Sequence, residues 1–356
     1  MSRIHSIEML LFVVLCFGSC KTYKVISIEI YNPATITFPP EVRSVMIVNN
    51  AAQQPDNEGH TNYCLYDLDM TGSNFAVSTD SMSYHFCMTL GKAIAESPLF
   101  DDVRLCDDTL RYDSLFFMSR PFGMNTVASM CEEYQVDALI SLDKLYFATT
   151  LYNKTRNYET RSYYNVFYMS IEINGELRVF YPDCGVAYTI PFTDSLIISS
   201  DDDYYYLWYD EEFTTQDVRY AMHTLSEYTG HKMHQNFVPF WEEDVRWFYK
   251  RMSSGWKRAT AYAAASKWDV AAKEWLYLYS AATKWKQKAR LASNLALCHE
   301  IKGDFTRAIE YATMADSLFT EHAAIDDRCR KMQNEYLTLL KKRAVDDETL
   351  SKQLKE

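Results

Sequence analysis

Three features that would mark common protein classes are missing from this chain of 356 residues. After residue 20, no apolar run reaches the length of about 20 residues that a membrane-spanning helix needs. No two cysteines have the CxxC spacing, so neither a zinc ribbon nor a redox motif is indicated. Basic charge is in deficit, because 36 Lys and Arg stand against 48 Asp and Glu, which gives a net charge of −12. This balance argues against binding to nucleic acid and against electrostatic binding to anionic lipid.

Catalytic signatures are missing as well. The GxSxG nucleophile elbow, the phosphate-binding loop, the GxGxxG dinucleotide fingerprint and the zinc motif HExxH do not occur. His231 and His234 lie one helical turn apart, but no motif supplies a third metal ligand. The sequence therefore predicts a non-enzymatic protein with no catalytic residue, no metal site and no cofactor. A hydrolase without a recognisable motif is the weaker alternative.

The amino terminus has the pattern of an export signal. Met9–Phe17 is an apolar core of the length found in signal peptides, and it is too short to span a bilayer. The residues Phe17-Gly18-Ser19-Cys20 that follow resemble a bacterial lipobox. The resemblance implies that residues 1–19 are removed and that Cys20 carries lipid chains, which would anchor the protein durably. An ordinary signal peptide cut near Gly18, or a buried helix, is the alternative. Basic residues such as Lys21 follow Cys20 where surface-exported lipoproteins often carry acidic ones, which favours the periplasmic face of an outer membrane.

Residues 42–145 alternate between two hydrophobic patterns. The run VRSVMIVN at 42–49 predicts a buried strand, and apolar residues spaced by four predict an amphipathic helix over Ser81–Glu96. A strand at Val103–Cys106, a second helix ending near Tyr134 and a strand at Val136–Leu145 complete a β-α-β-α-β order. This order is typical of an α/β layer.

A further signal concerns the strands after residue 145. Asn174-Gly175 between two apolar runs predicts a type I′ hairpin, because both central residues of that turn need positive φ.

The stretches VRSVMIVN, SPLFDDVRL and CEEYQVDALISL resemble the N-terminal α/β domain of TolB-like and curli-transport lipoproteins. The resemblance covers about a hundred residues and implies a fold but no chemistry. By analogy with curli transport, it also allows a homo-oligomer.

From about residue 252 the strand signals end and a helical pattern begins. Ala289–Leu318 resembles one tetratricopeptide repeat, and Trp256–Tyr279 resembles an earlier, more degenerate copy in which Ser266 replaces the turn glycine. Equivalent alanines lie 37 residues apart, near the repeat period of about 34. The residues predicted to pack the repeats are Tyr262, Trp268, Ala271, Trp275, Leu295, Ala296, Gly303, Ala308 and Ala315. A generic helical bundle is the alternative.

The stretch Asp201–Asp210, DDDYYYLWYD, is unusually aromatic. Tyr204, Tyr205, Tyr206 and Trp208 form a candidate surface for a ligand or partner, on which sugar rings could stack. An acidic loop that enters a strand with a packed aromatic face is the simpler interpretation. A calcium-binding EF-hand loop is excluded by the spacing of the acidic residues.

Taken whole, the chain resembles an uncharacterised Bacteroidales lipoprotein family, similar to domain of unknown function 6340. The predicted fold class is α+β, with an N-terminal α/β sandwich-like domain carrying β-hairpin additions, followed by an all-α tetratricopeptide-like domain. The predicted segments are a signal peptide (1–19), a lipidated extended segment (20–40), the α/β domain (41–250), the repeats (251–342) and a charged tail (343–356). The predicted function is that of a lipid-anchored adaptor or scaffold for protein partners of the cell envelope. A glycan- or ligand-binding lipoprotein is the alternative.

Overall fold

The structure of the protein is a computed structural model that describes residues 22–66, 69–111, 113–157, 163–200, 213–251, 253–323 and 325–354. The chain divides into two compact units. The sheet unit comprises Ala34–Pro239 together with the C-terminal residues from Gln353. The helical unit comprises the described residues up to Pro33 together with Phe240–Lys352.

The sheet unit contains one sheet of seven strands among its described residues. Its strands are β2 (Ser44–Asn49), β3 (His60–Tyr66), β4 (Asp69–Asn74), β5 (Asp102–Thr109), β6 (Ala138–Asn157), β7 (Tyr163–Tyr181) and β8 (Gly185–Ser199). Strands β5, β2 and β6 are parallel neighbours, whereas β6, β7 and β8 form a long antiparallel meander. Beyond the end of β2, β6 pairs in parallel with β3, which in turn pairs with β4. The predicted α+β class is confirmed. The elements of the predicted β-α-β-α-β order occur, but β3 and β4, which were not predicted, lie between its first strand and its first helix.

Three helices cover the sheet: α1 (Met82–Ala95), α2 (Met124–Tyr134) and α3 (Thr215–Met233). Helices α1 and α3 share one core with Val45 and Ile47 of β2, whereas α2 shares another with Met46 and Val48. Successive side chains of a strand point to opposite faces, so β2 is buried on both sides. This double burial explains why it reads as a continuous apolar run rather than an alternating one.

The predicted hairpin at Asn174-Gly175 is wrong. Strand β7 runs straight through both residues and pairs with β6 and β8 on its two sides. Gly175 lies opposite Phe192 of β8, and a Cβ at Gly175 would come within 2.1 Å of the Phe192 ring. The glycine therefore makes room for an aromatic ring on the neighbouring strand. The chain turns instead at the β7–β8 connection, where Gly185 has φ of +71°.

The helical unit contains two helical hairpins and a long final helix. The helices are α4 (Ser254–Ala264), α5 (Trp268–Ala281), α6 (Trp285–Ile301), α7 (Phe305–Glu321) and α8 (Asp327–Gln353). Both hairpin turns have the same geometry. Gly303 (φ +74°) donates its N–H to the Glu300 carbonyl, and Ser266 (φ +57°) donates its own to Ala263. The next residue in each turn bonds to the carbonyl five positions earlier, which is the Schellman arrangement of a helix end.

A two-stranded ribbon belongs to the helical unit. Strand β1 (Tyr23–Asn32) pairs antiparallel with β9 (Phe240–Tyr249). The end of β9 enters the helical core, where Phe248 packs near Trp275, and the buried Asn294 side chain bonds to both backbone groups of Tyr249. The two units therefore divide after Pro33 and Pro239 and not at the predicted residues 40 and 250. The reason is that β1 and β9 pair with each other and belong to the helical unit.

The predicted tail at residues 343–356 is wrong for its described part. Helix α8 continues to Gln353, and Arg343 within it bonds to the buried Glu300 of α6. Charged residues do not fray here because one of them has a buried partner. Among the described residues, no helix is both long enough and apolar enough to cross a membrane.

Candidate functional site

A buried charge network lies at the centre of the helical unit. The Glu300 side chain has no exposed surface, and Arg246 of β9 is only 1% exposed. The Arg246 Nε donates to Glu300 Oε1 at 2.9 Å, and Tyr336 of α8 donates its hydroxyl to Glu300 Oε2 at 2.7 Å. Arg343, also on α8, donates to Oε1 at 2.6 Å. One carboxylate therefore ties the strand ribbon to α6 and α8.

Two groups of this network, Arg246 and Tyr336, have raised pKa values. Burial lowers the pKa of Arg246, but Glu300 and Asp244 outweigh that effect and the pKa lies above its ordinary value. Burial and the adjacent Glu300 carboxylate raise the pKa of Tyr336 well above its ordinary value. The tyrosine thus remains a hydrogen-bond donor, and the arginines remain cations. The Arg246 Nη2 atom lies 2.9 Å from Glu300 Oε1 but forms no hydrogen bond there, so this buried donor depends on the ion pair alone.

A groove of about 530 Å³ lies against this network and is open to solvent. Its lining comes from β1, β9, the α4–α5 turn, α6 and α8. The lining residues are Ser27, Ile28, Glu29, Trp241, Glu243, Ser266, Trp268, Glu300, Ile301 and Arg343. Three consecutive residues of β1 line it. Because neighbouring strand residues point to opposite faces, β1 must present its edge to the groove.

The ribbon side of the groove is acidic and aromatic. Glu29 and Glu243 lie directly opposite each other in the β1–β9 pair, and both are exposed. Like charges in this position destabilise a strand pair. Next to them, Tyr31 and Trp241 stack with ring centroids 4.7 Å apart, yet Trp241 remains 68% exposed. Such a surface suits a ligand that brings positive charge and apolar area.

The carboxyl edge of the parallel strands in the sheet unit, where α/β folds often bind ligands, is filled by its own residues. Asp143 of β6 has no exposed surface and accepts bonds from Asn50, Ser141 and Arg178. Burial raises the pKa of Asp143, while these donors act in the opposite direction. The Asp143 carboxylate therefore bonds to side chains of the sheet unit, and we interpret its role as structural.

The predicted repeat residues are brought together in the helical unit. Those with at most 1% exposure are Ala271, Trp275, Leu295, Ala296, Ala308 and Ala315. Tyr262 and Trp268 are partly buried against the same core, and Gly303 forms the α6–α7 turn. Trp268 also lines the groove, so one face of the repeat-like hairpins contributes to the candidate site.

Two sets of predicted site residues lie outside the described residues. They are Cys20 and the aromatic group Tyr204, Tyr205, Tyr206 and Trp208. Phe213, which follows the aromatic group, lines a shallow surface depression with Tyr63, Tyr152 and Tyr168 of the sheet unit. Phe213 thus connects the predicted aromatic stretch, along the chain, to an aromatic surface of the described sheet unit.

Sequence reasoning missed the groove. Glu29, Trp241 and Glu243 belong to no recognisable motif, and Glu300 stood inside a predicted helix. The signal that could have located Glu300 was a lone carboxylate in an otherwise apolar helix face, because such charges are buried only when paired. Pairing of β1 with β9 could not be read from the sequence, because more than 200 residues separate the two strands.

The chain belongs to the family described as a domain of unknown function (DUF8603), whose model matches residues 42–249. Residues 257–342 match the model of a second domain of unknown function, DUF6340. The predicted resemblance of the whole chain to that uncharacterised family is therefore confirmed for residues 257–342. No curated protein sequence is significantly similar to the chain.

Two solved structures are weakly similar. A Xanthomonas campestris protein of the DUF330 family has 11% identity and a TM-score of 0.24, covering 57% of this chain and 91% of its own. A hypothetical protein from Chlamydia trachomatis has 13% identity and a TM-score of 0.21, covering 55% of this chain and 96% of its own. At these TM-scores neither structure informs the fold or the function of this chain.

Proposed function

We propose that the protein is a non-enzymatic envelope adaptor, anchored in the outer membrane through Cys20 and facing the periplasm. Its helical unit holds an extended segment of a partner protein in the groove beside β1. The two hairpins are tetratricopeptide-like repeats in this proposal, and repeats of that kind commonly serve as concave binding surfaces. The observation that carries the proposal is the groove itself, in which exposed aromatic and acidic residues lie beside the buried Glu300 network.

The geometry also supports a specific partner chemistry. The described part of β1 pairs with no strand other than β9, so its second edge has free backbone groups. A partner segment can add to such an edge through main-chain hydrogen bonds, and its side chains then supply specificity. Lys or Arg in the segment would relieve the repulsion between Glu29 and Glu243. An aromatic or aliphatic side chain beside it would pack on Trp241 or Trp268.

Site-specific photo-crosslinking in native cells tests the proposal. A photoreactive phenylalanine replaces Trp241 in one variant and Tyr277 in a control, since Tyr277 is 71% exposed on α5 and does not line the groove. We expect a discrete crosslinked protein from position 241 and none from position 277. The substitution Glu243→Lys, added to the position-241 variant, should reduce that product at least several-fold. The same products from both positions, or none from 241, would contradict the adaptor role.

The anchor has its own test. Labelling with an alkyne fatty acid should mark the wild-type chain and not Cys20→Ala, and only the wild type should sediment with outer membranes. Crosslinked partners of position 241 should also be lost or reduced in Cys20→Ala, because an untethered adaptor has a lower effective concentration at the membrane. Labelling of Cys20→Ala to the wild-type level would refute lipidation at this residue.

One observation favours the glycan-binding alternative. The depression near Phe213 combines Tyr63, Tyr152 and Tyr168 with the amide side chains of Asn62 and Asn153. Aromatic rings and amides together suit sugar rings and their hydroxyls. Simultaneous substitution of Tyr204, Tyr205 and Trp208 by Ala tests it on glycan arrays. Loss of a glycan signal with unchanged thermal unfolding supports the alternative, whereas no wild-type signal eliminates it.

A further inference from the structure

Three metal-type ligands converge on the surface of the sheet unit. His85 lies on α1, and His223 and Glu227 lie one turn apart on α3. The ligand atoms of the three side chains all lie within 4.8 Å of one another, and no other such group occurs among the described residues. The Nδ1 atoms of His85 and His223 lie 3.5 and 3.6 Å from the two carboxylate oxygens of Glu227. The imidazole centroids are 4.0 Å apart.

One of these atoms has an unused bonding capacity. His85 Nδ1 is buried and has no hydrogen-bond partner among the described residues, and its nearest acceptor is the Glu227 oxygen at 3.5 Å. A buried polar atom without a partner is costly and calls for an explanation such as an unseen ion. The three side chains nevertheless remain between 25% and 39% exposed, so an ion can reach them.

The crossing of α1 and α3 fixes the spacing of these residues. Ser226 donates its hydroxyl to the Met82 carbonyl at 2.7 Å. Gly230 lies so close to α1 that a Cβ there would come within 2.5 Å of the Phe86 carbonyl oxygen. These two contacts flank His85 along α1 and flank Glu227 along α3. The ligands therefore sit on rigid, closely packed helices, which is the preorganisation that a metal site requires.

We propose that His85, His223 and Glu227 form a binding site for a divalent transition metal, with zinc as the expected ion. Zinc binds His nitrogen and carboxylate oxygen at about 2.0–2.2 Å, so adjacent ligands of a tetrahedral site lie about 3.4 Å apart. The observed distances of 3.5 and 3.6 Å lie near this spacing, and each imidazole reaches it with a different oxygen of the Glu227 carboxylate. Three protein ligands leave a fourth position for water or for a donor from another molecule. Hard ions such as magnesium prefer all-oxygen sites and fit this set poorly.

The histidine pair that the sequence singled out differs from this cluster. His231 and His234 have ring centroids 5.0 Å apart, but His234 directs Nδ1 at the His231 carbonyl and no carboxylate joins them. This second pair lies on or next to the same helix, which makes His231→Ala a matched control. His231 is exposed, so its replacement should leave the fold unchanged.

Titration of the metal-free chain, purified without a histidine tag, tests the proposal. Zinc is added in a calorimeter, and cobalt is added in a spectrophotometer, because cobalt reports the ligand geometry through its visible absorption. We expect one tight equivalent of zinc and the cobalt spectrum of a four-coordinate site. His85→Ala, His223→Ala and Glu227→Gln should each weaken zinc at least tenfold, and His231→Ala should not. Saturating zinc should raise the Tm of the wild type by about 5 °C and leave His223→Ala unchanged.

Three results would overturn the proposal. The first is the absence of zinc binding at micromolar concentration. The second is a zinc affinity that survives both His85→Ala and His223→Ala, since the ion would then sit elsewhere. The third is a loss of binding in His231→Ala equal to that in His223→Ala. Thermal unfolding of each variant without metal separates lost ligands from lost structure, because His223 and Glu227 are partly exposed and their replacement should hardly change the apo Tm.

Discussion

Glu300→Gln should destabilise the helical unit far more than a surface substitution does. The change removes the charge that compensates Arg246, a side chain with 1% exposure, and it leaves Arg343 and the Tyr336 hydroxyl with a weaker acceptor. Breaking a buried ion pair typically costs about 3–5 kcal/mol. Asp244 still accepts from Arg246 at 2.6 Å, which places the expected loss at about 3 kcal/mol.

Urea unfolding followed by tryptophan fluorescence measures this loss. Six of the seven tryptophans lie between residues 240 and 352, so the fluorescence reports mainly on the helical unit. With a slope of about 2 kcal/mol/M, the midpoint should fall by about 1.5 M. Glu310→Gln on the exposed face of α7 is the matched control, and it should change stability by less than about 0.5 kcal/mol. A difference below about 1 kcal/mol between the two variants would refute the buried network.

A double-mutant cycle sharpens the same prediction. Arg343→Gln alone should cost about 1–2 kcal/mol, because Glu300 keeps Arg246 and Tyr336. In the Glu300→Gln background the same substitution removes an unpaired cation and should cost less, giving a coupling energy of at least about 1 kcal/mol. Additive effects would show that Arg343 and Glu300 do not interact in solution.

Four glycine-related substitutions test the packing and the turns. Ser266→Gly should raise the free energy of unfolding by up to about 1 kcal/mol, because Ser266 has the left-handed φ that Gly303 has in the second hairpin. Gly303→Ala should lower the free energy of unfolding by about as much. Unfolding in urea measures both changes, and a loss of stability in Ser266→Gly would contradict the shared turn geometry. Gly175→Ala should cost about 1–3 kcal/mol of stability, because the added Cβ would meet the Phe192 ring. Thermal unfolding followed by circular dichroism measures this loss, and an unchanged midpoint would show that the ring lies elsewhere. Gly230→Ala should cost a similar amount and also weaken zinc binding, since it pushes α3 away from α1; retained affinity would show that the crossing does not position the ligands.

Local pattern was enough to predict much of the fold. The apolar run at 42–49 and the four-residue spacing of Met82, Phe86, Leu90 and Ile94 correspond to β2 and to the buried face of α1. The helical character of the C-terminal part followed from its composition, and the turn at Gly303 followed from the resemblance to a tetratricopeptide repeat. In each case the residues that create the signal lie within a few positions of one another, so their periodicity shows which side is buried.

The hairpin prediction failed for a reason outside the local sequence. Asn-Gly is compatible with a tight turn, but it is also compatible with a strand whose neighbour needs space. The ring of Phe192, which lies 17 residues further along the chain, decides between the two. Likewise the charged segment after Leu340 resembled a tail until Arg343 found a buried partner on α6.

The sequence by itself determined the strand β2, the helix α1 and the helical character of the C-terminal part, because hydrophobic period acts over a few residues. Only the tertiary structure decided the candidate sites. The groove exists because β1 pairs with β9, and the metal cluster exists because α1 crosses α3 at Gly230. Both bring together side chains that are more than a hundred residues apart, and such meetings depend on packing and on satisfying buried charge, which no local period records.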